Sequence, residues 1–118
     1  MLRIIIAEDD EITRNLCVEY LTYKNLEVEA YENGEKVLEK MRSGKVYDKV
    51  LTDYIMNGSK INGLELTKQI KNEFGDIPVF IMSGSDIKKQ AIEAGATGYI
   101  SKPFRSISDL DVLLQPTQ

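Results

Sequence analysis

Four short stretches of this sequence end in side chains that could act together on one ligand. Glu8, Asp9 and Asp10 follow the apolar run Ile4-Ile5-Ile6-Ala7. Asp53 follows Val50-Leu51-Thr52, and Ser83-Gly84-Ser85 follows Val79-Phe80-Ile81-Met82. Lys102 follows Tyr99-Ile100-Ser101 and precedes Pro103. Carboxylates gathered in one place resist full ionisation unless a cation joins them. A hard ion such as Mg²⁺ takes one or two carboxylates, a carbonyl oxygen and waters. A serine hydroxyl and a lysine ammonium beside it suit a group with several anionic oxygens, and a phosphoryl group has them. Each residue also has a plainer role. Acids after a strand cap the next helix or meet its positive end. An aspartate at a strand end starts a turn, Ser83 could cap a helix, and a lysine before proline is usually solvated. That plainer account has to be invoked separately in four places.

The order of elements is what would bring the four stretches together. Short β-branched runs at Arg3–Ala7, Glu27–Tyr31, Lys49–Thr52, Pro78–Met82 and Gly98–Ser101 predict strands. Helical spacing separates them. Glu11–Lys24 carries Ile12, Leu16, Tyr20 and Leu21 as its apolar stripe, and Gly34–Arg42 carries Val37, Leu38 and Met41. Leu64–Phe74, Asp86–Ala94 and Ile107–Leu114 complete five helices. Alternating strands and helices predict a flavodoxin-like, doubly wound (βα)5 α/β sandwich with a five-stranded parallel sheet in order 2-1-3-4-5. Ile4–Ile6 and Val79–Met82 read as central strands, being nearly all apolar. Glu27–Tyr31 alternates and reads as an edge. Ligands of such sheets bind beyond the carboxyl ends of the strands, where all four stretches lie.

Composition narrows the function. The 118 residues suit one domain spanning 1–118, with 115–118 a tail or the start of a linker. The net charge of -4 argues against direct nucleic-acid binding, which needs a basic face. No apolar stretch approaches the roughly 20 residues that cross a bilayer. Leu2–Ile6 is too short for a signal peptide, so a cytoplasmic setting with no membrane partner is expected. There is no histidine, which excludes a Ser-His-Asp triad, a Cys-His dyad and a histidine zinc site. The single cysteine, Cys17, falls in a helical pattern and is expected to be a small buried side chain.

The stretches "IIIAEDDEITR", "VLTDYIM", "VFIMSGSD" and "GATGYISKPF" together resemble the response-regulator receiver domain of two-component signalling, chemotaxis-regulator-like, from Arg3 to about Leu114. The resemblance implies a switch and phosphoryl carrier, not a turnover enzyme. It implies that Asp53 accepts a phosphoryl group from a sensor histidine kinase or histidine phosphotransfer protein in a Mg²⁺-dependent reaction, with Mn²⁺ as a substitute. Asp9 would ligate the metal directly and Glu8 through water, with Asp53 and the main-chain carbonyl of Ile55 completing the protein ligands. Lys102 would pair with a phosphoryl oxygen. Ser83 would bond the phosphoryl group, and Tyr99 would move inward as Ser83 moves. A cis Lys102-Pro103 bond is also implied. The output face would lie on the fourth helix, fifth strand and fifth helix, and would include Lys88, Lys89, Tyr99 and Ser101. A downstream protein, a removed effector domain or a second copy forming a homodimer would bind there.

The loop after Asp53 departs from the family pattern. Asn57 stands where proline is usual, and the segment up to Gly63 is about two residues longer. Ile55 and Ser85 occupy positions that influence water's access to the acyl phosphate. Neither offers a carboxylate or amide, so unusually fast self-dephosphorylation is not expected. A receiver-like interaction module working without phosphorylation stays open as the alternative. An aspartyl phosphatase would need a D-x-D arrangement after the first strand, which Glu8-Asp9-Asp10-Glu11 lacks. A flavodoxin would need a phosphate loop there, and the acids would repel phosphate.

The acidic stretch therefore divides. Spacing to Arg14 and the strand end assigns Glu8 and Asp9 to the metal, and Asp10 and Glu11 to the start of the first helix. Asp9→Ala is expected to remove most Mg²⁺ affinity in a calorimetric titration. Asp10→Ala is expected to cost about 1 kcal/mol of stability through loss of a helix cap and to leave metal binding largely intact. The reverse ranking would move the register by one.

Overall fold

Side chains alternate across a strand, so a strand covered on both faces must be apolar on both. The computed structural model describes residues 1–116 and contains such a sheet. The order is β1 (Arg3–Ala7), α1 (Glu11–Tyr23), β2 (Glu27–Tyr31), α2 (Gly34–Arg42), β3 (Lys49–Asp53), α3 (Gly63–Phe74), β4 (Val79–Ser83), α4 (Lys88–Glu93) and β5 (Gly98–Ser101), followed by a 3-10 helix at Ile107–Leu114. All pairings are parallel, in the order β2-β1-β3-β4-β5. This is the doubly wound, flavodoxin-like sheet that the sequence predicts. Of the expected tail 115–118, residues 117–118 lie outside the described residues.

The register sets where the chemistry gathers. Ala7 pairs with Thr52, Asp53 with Met82, and Ser83 with Ser101. The carboxyl ends of β1, β3, β4 and β5 are thus nearly level. Ile5, Ala7, Val50, Val79 and Ile81 pack towards α2, α3 and α4. Ile4, Ile6, Leu51 and Met82 pack towards α1 and the 3-10 helix, against Cys17, Leu21, Leu110 and Leu113. Each fully buried aliphatic side chain contributes roughly 1.5–3 kcal/mol, so the sheet is a stiff base for the residues at its edge.

Two expectations need correction. The expected apolar stripe of α1, Ile12-Leu16-Tyr20-Leu21, holds only in its second half: Tyr20 and Leu21 pack on the core, and Ile12 and Leu16 do not. Cys17 and Leu21 are fully buried, whereas Ile12 is 80% exposed and Leu16 43% exposed. The row 12-16-20 lies one residue, about 100°, around the helix from the row 17-21. Only the latter is fully buried against the sheet, with Tyr20 half-buried on the same core. The fifth helix is a 3-10 helix, not an α-helix. Its buried pair, Leu110 and Leu113, is spaced i, i+3, which aligns on one face at three residues per turn. Buried Lys49 secures its end. The Lys49 ammonium donates to the carbonyl of Leu113 at 2.9 Å and also to that of Gln115, capping terminal carbonyls.

The third helix starts against the third strand. Asn62 and Glu65 form a capping box, and the Gly63 amide donates to the Tyr54 carbonyl at 2.7 Å. A Cβ on Gly63 would lie 2.3 Å from the Asp53 carbonyl oxygen. Any side chain there would push the end of β3. Gly63→Ala is expected to cost about 1–3 kcal/mol through overpacking, read from urea unfolding.

A second prediction concerns Glu29 on β2. Its carboxylate accepts from the hydroxyls of Tyr31 and Tyr47, each at 2.9 Å, and pairs with Lys45. Burial alone would raise its pKa, but Lys45 and the two hydroxyls outweigh burial and hold it below the usual 4.5. A lowered carboxylate stabilises the fold above its unfolded pKa, and that contribution is lost as pH falls through the folded value. Glu29→Gln is expected to lower stability by about 1 kcal/mol at neutral pH. The difference in urea midpoint should narrow as the solution is taken below about pH 4.

Candidate functional site

The site is assembled from the ends of four strands. At the end of β1, the Glu8 amide donates to the Tyr31 carbonyl at 3.0 Å, continuing the sheet by one residue. The Glu8 side chain is fully buried. The next residues leave the sheet. Asp10 caps α1, accepting from the Thr13 amide at 2.9 Å and the Thr13 hydroxyl at 2.6 Å. Those bonds hold its carboxyl below the usual range. The Arg14 guanidinium reaches back to the main-chain carbonyls of Glu8 at 2.8 Å and Asp9 at 3.3 Å. Arg14 thus fixes the backbone that carries the two acids and leaves their carboxylates unpaired by it.

Glu8, Asp9 and Asp53 each offer an oxygen within 4.8 Å of the others. Asp53, the last residue of β3, is 8% exposed. Its Oδ1 accepts from the Tyr54 amide at 2.9 Å. Lys102, just past β5, donates from Nζ to Glu8 Oε1 at 2.8 Å and to Asp53 Oδ2 at 3.3 Å. Asp9 Oδ2 accepts from the Asn57 amide at 2.9 Å. Burial pushes the Glu8 carboxyl up to about 7 despite its bond to Lys102, and neighbouring Asp53 pushes the same way. Burial opposes charge on Lys102 too, but Glu8 and Asp53 raise its pKa overall. Three carboxylates thus gather here, and the Lys102 ammonium pairs with two of them, Glu8 and Asp53. The donor set is all oxygen and short of positive charge, which fits a hard divalent cation.

Ser83, the last residue of β4, is 3% exposed, and its Oγ accepts from the Ser85 amide at 2.9 Å. Asp53, Ser83 and Lys102 line one cavity of about 560 Å³, which Ile55 also lines. Leu16, Pro103 and Phe104 form an apolar rim on it. The outward-facing Leu16 of α1 is thus on the wall of the site. The Lys102-Pro103 peptide bond is cis.

The structure brings together Glu8, Asp9, Asp53 and Lys102, with Ser83 and Ile55 on the same cavity. Tyr99 stands apart from the carboxylates. It is half-buried on edge strand β5, and its hydroxyl donates to the Ser85 carbonyl at 2.5 Å, lying 3.3 Å from that of Ser83. It is linked to the site through the loop after β4. Sequence reading missed the Asn57 amide, Glu35 and the close approach of Gly63 to Asp53. A main-chain donor carries no side-chain signal. Glu35, in the first turn of α2, reads like any acid at a helix start.

Comparison with known proteins gives the family. The family model "Response regulator receiver domain" matches residues 4–114. The putative two-component response regulator ARR21 of Arabidopsis thaliana is 32% identical over 116 residues, covering 97% of this chain and 18% of that protein. The transcriptional regulatory protein RprY of Bacteroides fragilis is 33% identical over 106 residues, covering 87% of this chain and 44% of that protein. The chain thus spans less than half the length of these curated relatives. Among solved structures, the chemotaxis response regulator CheY4 of Vibrio cholerae superposes with a TM-score of 0.87 at 23% identity, covering 97% of each chain. That likeness concerns the fold. The response regulator TrrA of Thermotoga maritima, solved in complex with Mg²⁺-BeF, superposes with a TM-score of 0.83 at 29% identity, covering 97% of this chain and 96% of that one. No helix among the described residues is long and apolar enough to cross a membrane. With the family model running from β1 to the end of the final helix, this chain belongs to the response regulator receiver domain family.

Proposed function

We propose that this chain is a phosphorylation-dependent signalling switch in which Asp53 accepts a phosphoryl group from a histidine kinase or a histidine phosphotransfer protein. One observation carries the reading. Asp53 lies at a cavity wall among two further carboxylates, with the Lys102 ammonium against its Oδ2 and Ser83 on the same cavity. No residue of this chain is itself a phosphohistidine source, since it has no histidine. The donor histidine therefore lies outside these 118 residues.

In the step proposed, an Asp53 carboxylate oxygen attacks phosphorus. An O–P bond forms as the N–P bond to the donor imidazole breaks, and the electron pair returns to that nitrogen. Glu8, Asp9, Asp53 and the Ile55 carbonyl would hold Mg²⁺, or Mn²⁺ in its place. The cation supplies neutralisation of charge on the transferring group. Lys102 brings a second positive charge to the acceptor, and its bond to Glu8 keeps it aimed there. The Ser83 hydroxyl, now accepting from Ser85, is available to donate to a phosphoryl oxygen. Drawing Ser83 towards that oxygen would strain the loop to which the Tyr99 hydroxyl is tied, and this couples the site to β5. The 118 residues act in this reading as one receiver domain. The face of α4, β5 and the 3-10 helix would meet a downstream protein, an effector domain or a second copy.

A small phosphodonor with Mg²⁺ is expected to add one phosphoryl group to the intact protein, read by mass spectrometry. Asp53→Asn should abolish the addition, and hydride reduction of the acyl phosphate should mark residue 53. The phosphoryl group should outlast seconds at neutral pH, since Ile55 and Ser85 have no carboxylate or amide side chain to orient water. Label on Asp9, or no label with an intact fold, would leave the interaction-module or phosphatase reading instead.

A further inference from the structure

The loop between β3 and α3, residues 54–62, is fastened at three points. Its base is closed by the Gly63 amide on the Tyr54 carbonyl. Its far side is held by α2. Glu35 Oε1 accepts from the amides of Lys60 at 2.8 Å and Ile61 at 3.2 Å, and the Ser59 hydroxyl lies 3.0 Å from it. The Gly34 amide donates to that same Ser59 oxygen at 3.3 Å. The third point is the metal-ligand candidate itself, where the Asn57 amide donates to Asp9 Oδ2 at 2.9 Å. Between the last two points, the Ser59 amide on the Met56 carbonyl closes a turn, and the Met56 side chain is buried.

These contacts form a chain from α2 to the site. An acid at the start of a helix needs no such partners to be favourable there. Glu35 instead gathers main-chain donors from two consecutive loop residues onto one oxygen. Hydrogen bonds to a carboxylate are stronger than those between neutral groups, so Glu35 ties the far side of the loop firmly to α2. With the far side fixed and a turn in between, the Asn57 amide has little freedom to leave Asp9. That amide holds one Asp9 oxygen and leaves the other for a ligand.

We infer that Glu35 is a positioning residue for Asp9, acting through loop 54–62 and the Asn57 amide to set how tightly the site holds a divalent cation. The inference rests on the reading of Glu8, Asp9 and Asp53 as the cation site. Glu35 does not touch the cation. Its effect passes through the loop, in the way that outer partners orient metal ligands.

The test is Mg²⁺ titration by calorimetry of the wild type, Glu35→Ala, Glu35→Gln and Asp9→Ala, with hydrogen exchange at the Asn57 amide followed by NMR in the same proteins without metal. Glu35→Ala is expected to weaken Mg²⁺ binding about tenfold and to speed exchange at Asn57. Glu35→Gln keeps an acceptor oxygen and should restore most of both. A purely structural role for Glu35 would lower the unfolding midpoint without moving either readout, and that result would overturn the inference. So would a loss that Gln fails to restore. If Asp9→Ala binds Mg²⁺ as the wild type does, the cation-site reading fails first and this inference falls with it.

Discussion

Three clustered carboxylates with one ammonium, which pairs with only two of them, are the constraint on which the rest of this molecule depends. Glu8 is wholly buried and Asp53 nearly so, and an uncompensated charge in such a place is costly. Lys102 answers both, but only from the far end of the chain. The bond spans 94 residues, so the first strand's acid and the last strand's lysine must be delivered to within 3 Å by the sheet between them. Burial nevertheless pushes Glu8 towards neutrality. The pair is insufficient by itself, and the site has room in its electrostatics for another cation.

Holding repelling groups together needs a stiff support, and each part of the fold supplies some of it. The parallel register brings the strand ends level. Gly63 lets α3 start against the Asp53 carbonyl. Arg14 ties down the backbone of Glu8 and Asp9 without neutralising their side chains. Buried Lys49 closes the last helix, which in turn covers the face of the sheet that includes Leu51 and Met82. None of these contacts is chemistry, yet the cluster would disperse without them.

Much of this was legible in the sequence, for a physical reason. The strands are short runs of β-branched and apolar residues that must be buried on both faces, and their order leaves few topologies. The acids, Ser83 and Lys102 follow those runs directly, so placing the strands placed them too. The helices were less legible. The row Ile12-Leu16-Tyr20 is as periodic as Cys17-Leu21, and periodicity does not say which row meets the sheet. The i, i+3 spacing of Leu110 and Leu113 suits a 3-10 helix and an α-helix alike, so the winding of the last helix was not legible. The link from Glu35 to Asp9 was hidden because its donors are main-chain amides in a loop of irregular length.

On the proposed reading, the charge deficit around Asp53 is a cation site. Paramagnetic broadening of amide resonances by substoichiometric Mn²⁺ tests it most directly, because it locates the ion without assuming any reaction. Signals from Glu8–Asp9, Asp53–Ile55 and Asn57 should vanish first, and excess Mg²⁺ should restore them. Broadening centred on other acids, such as Asp109 and Asp111 at the opposite end of the sequence, with Glu8–Asp9 and Asp53 left sharp, would contradict it.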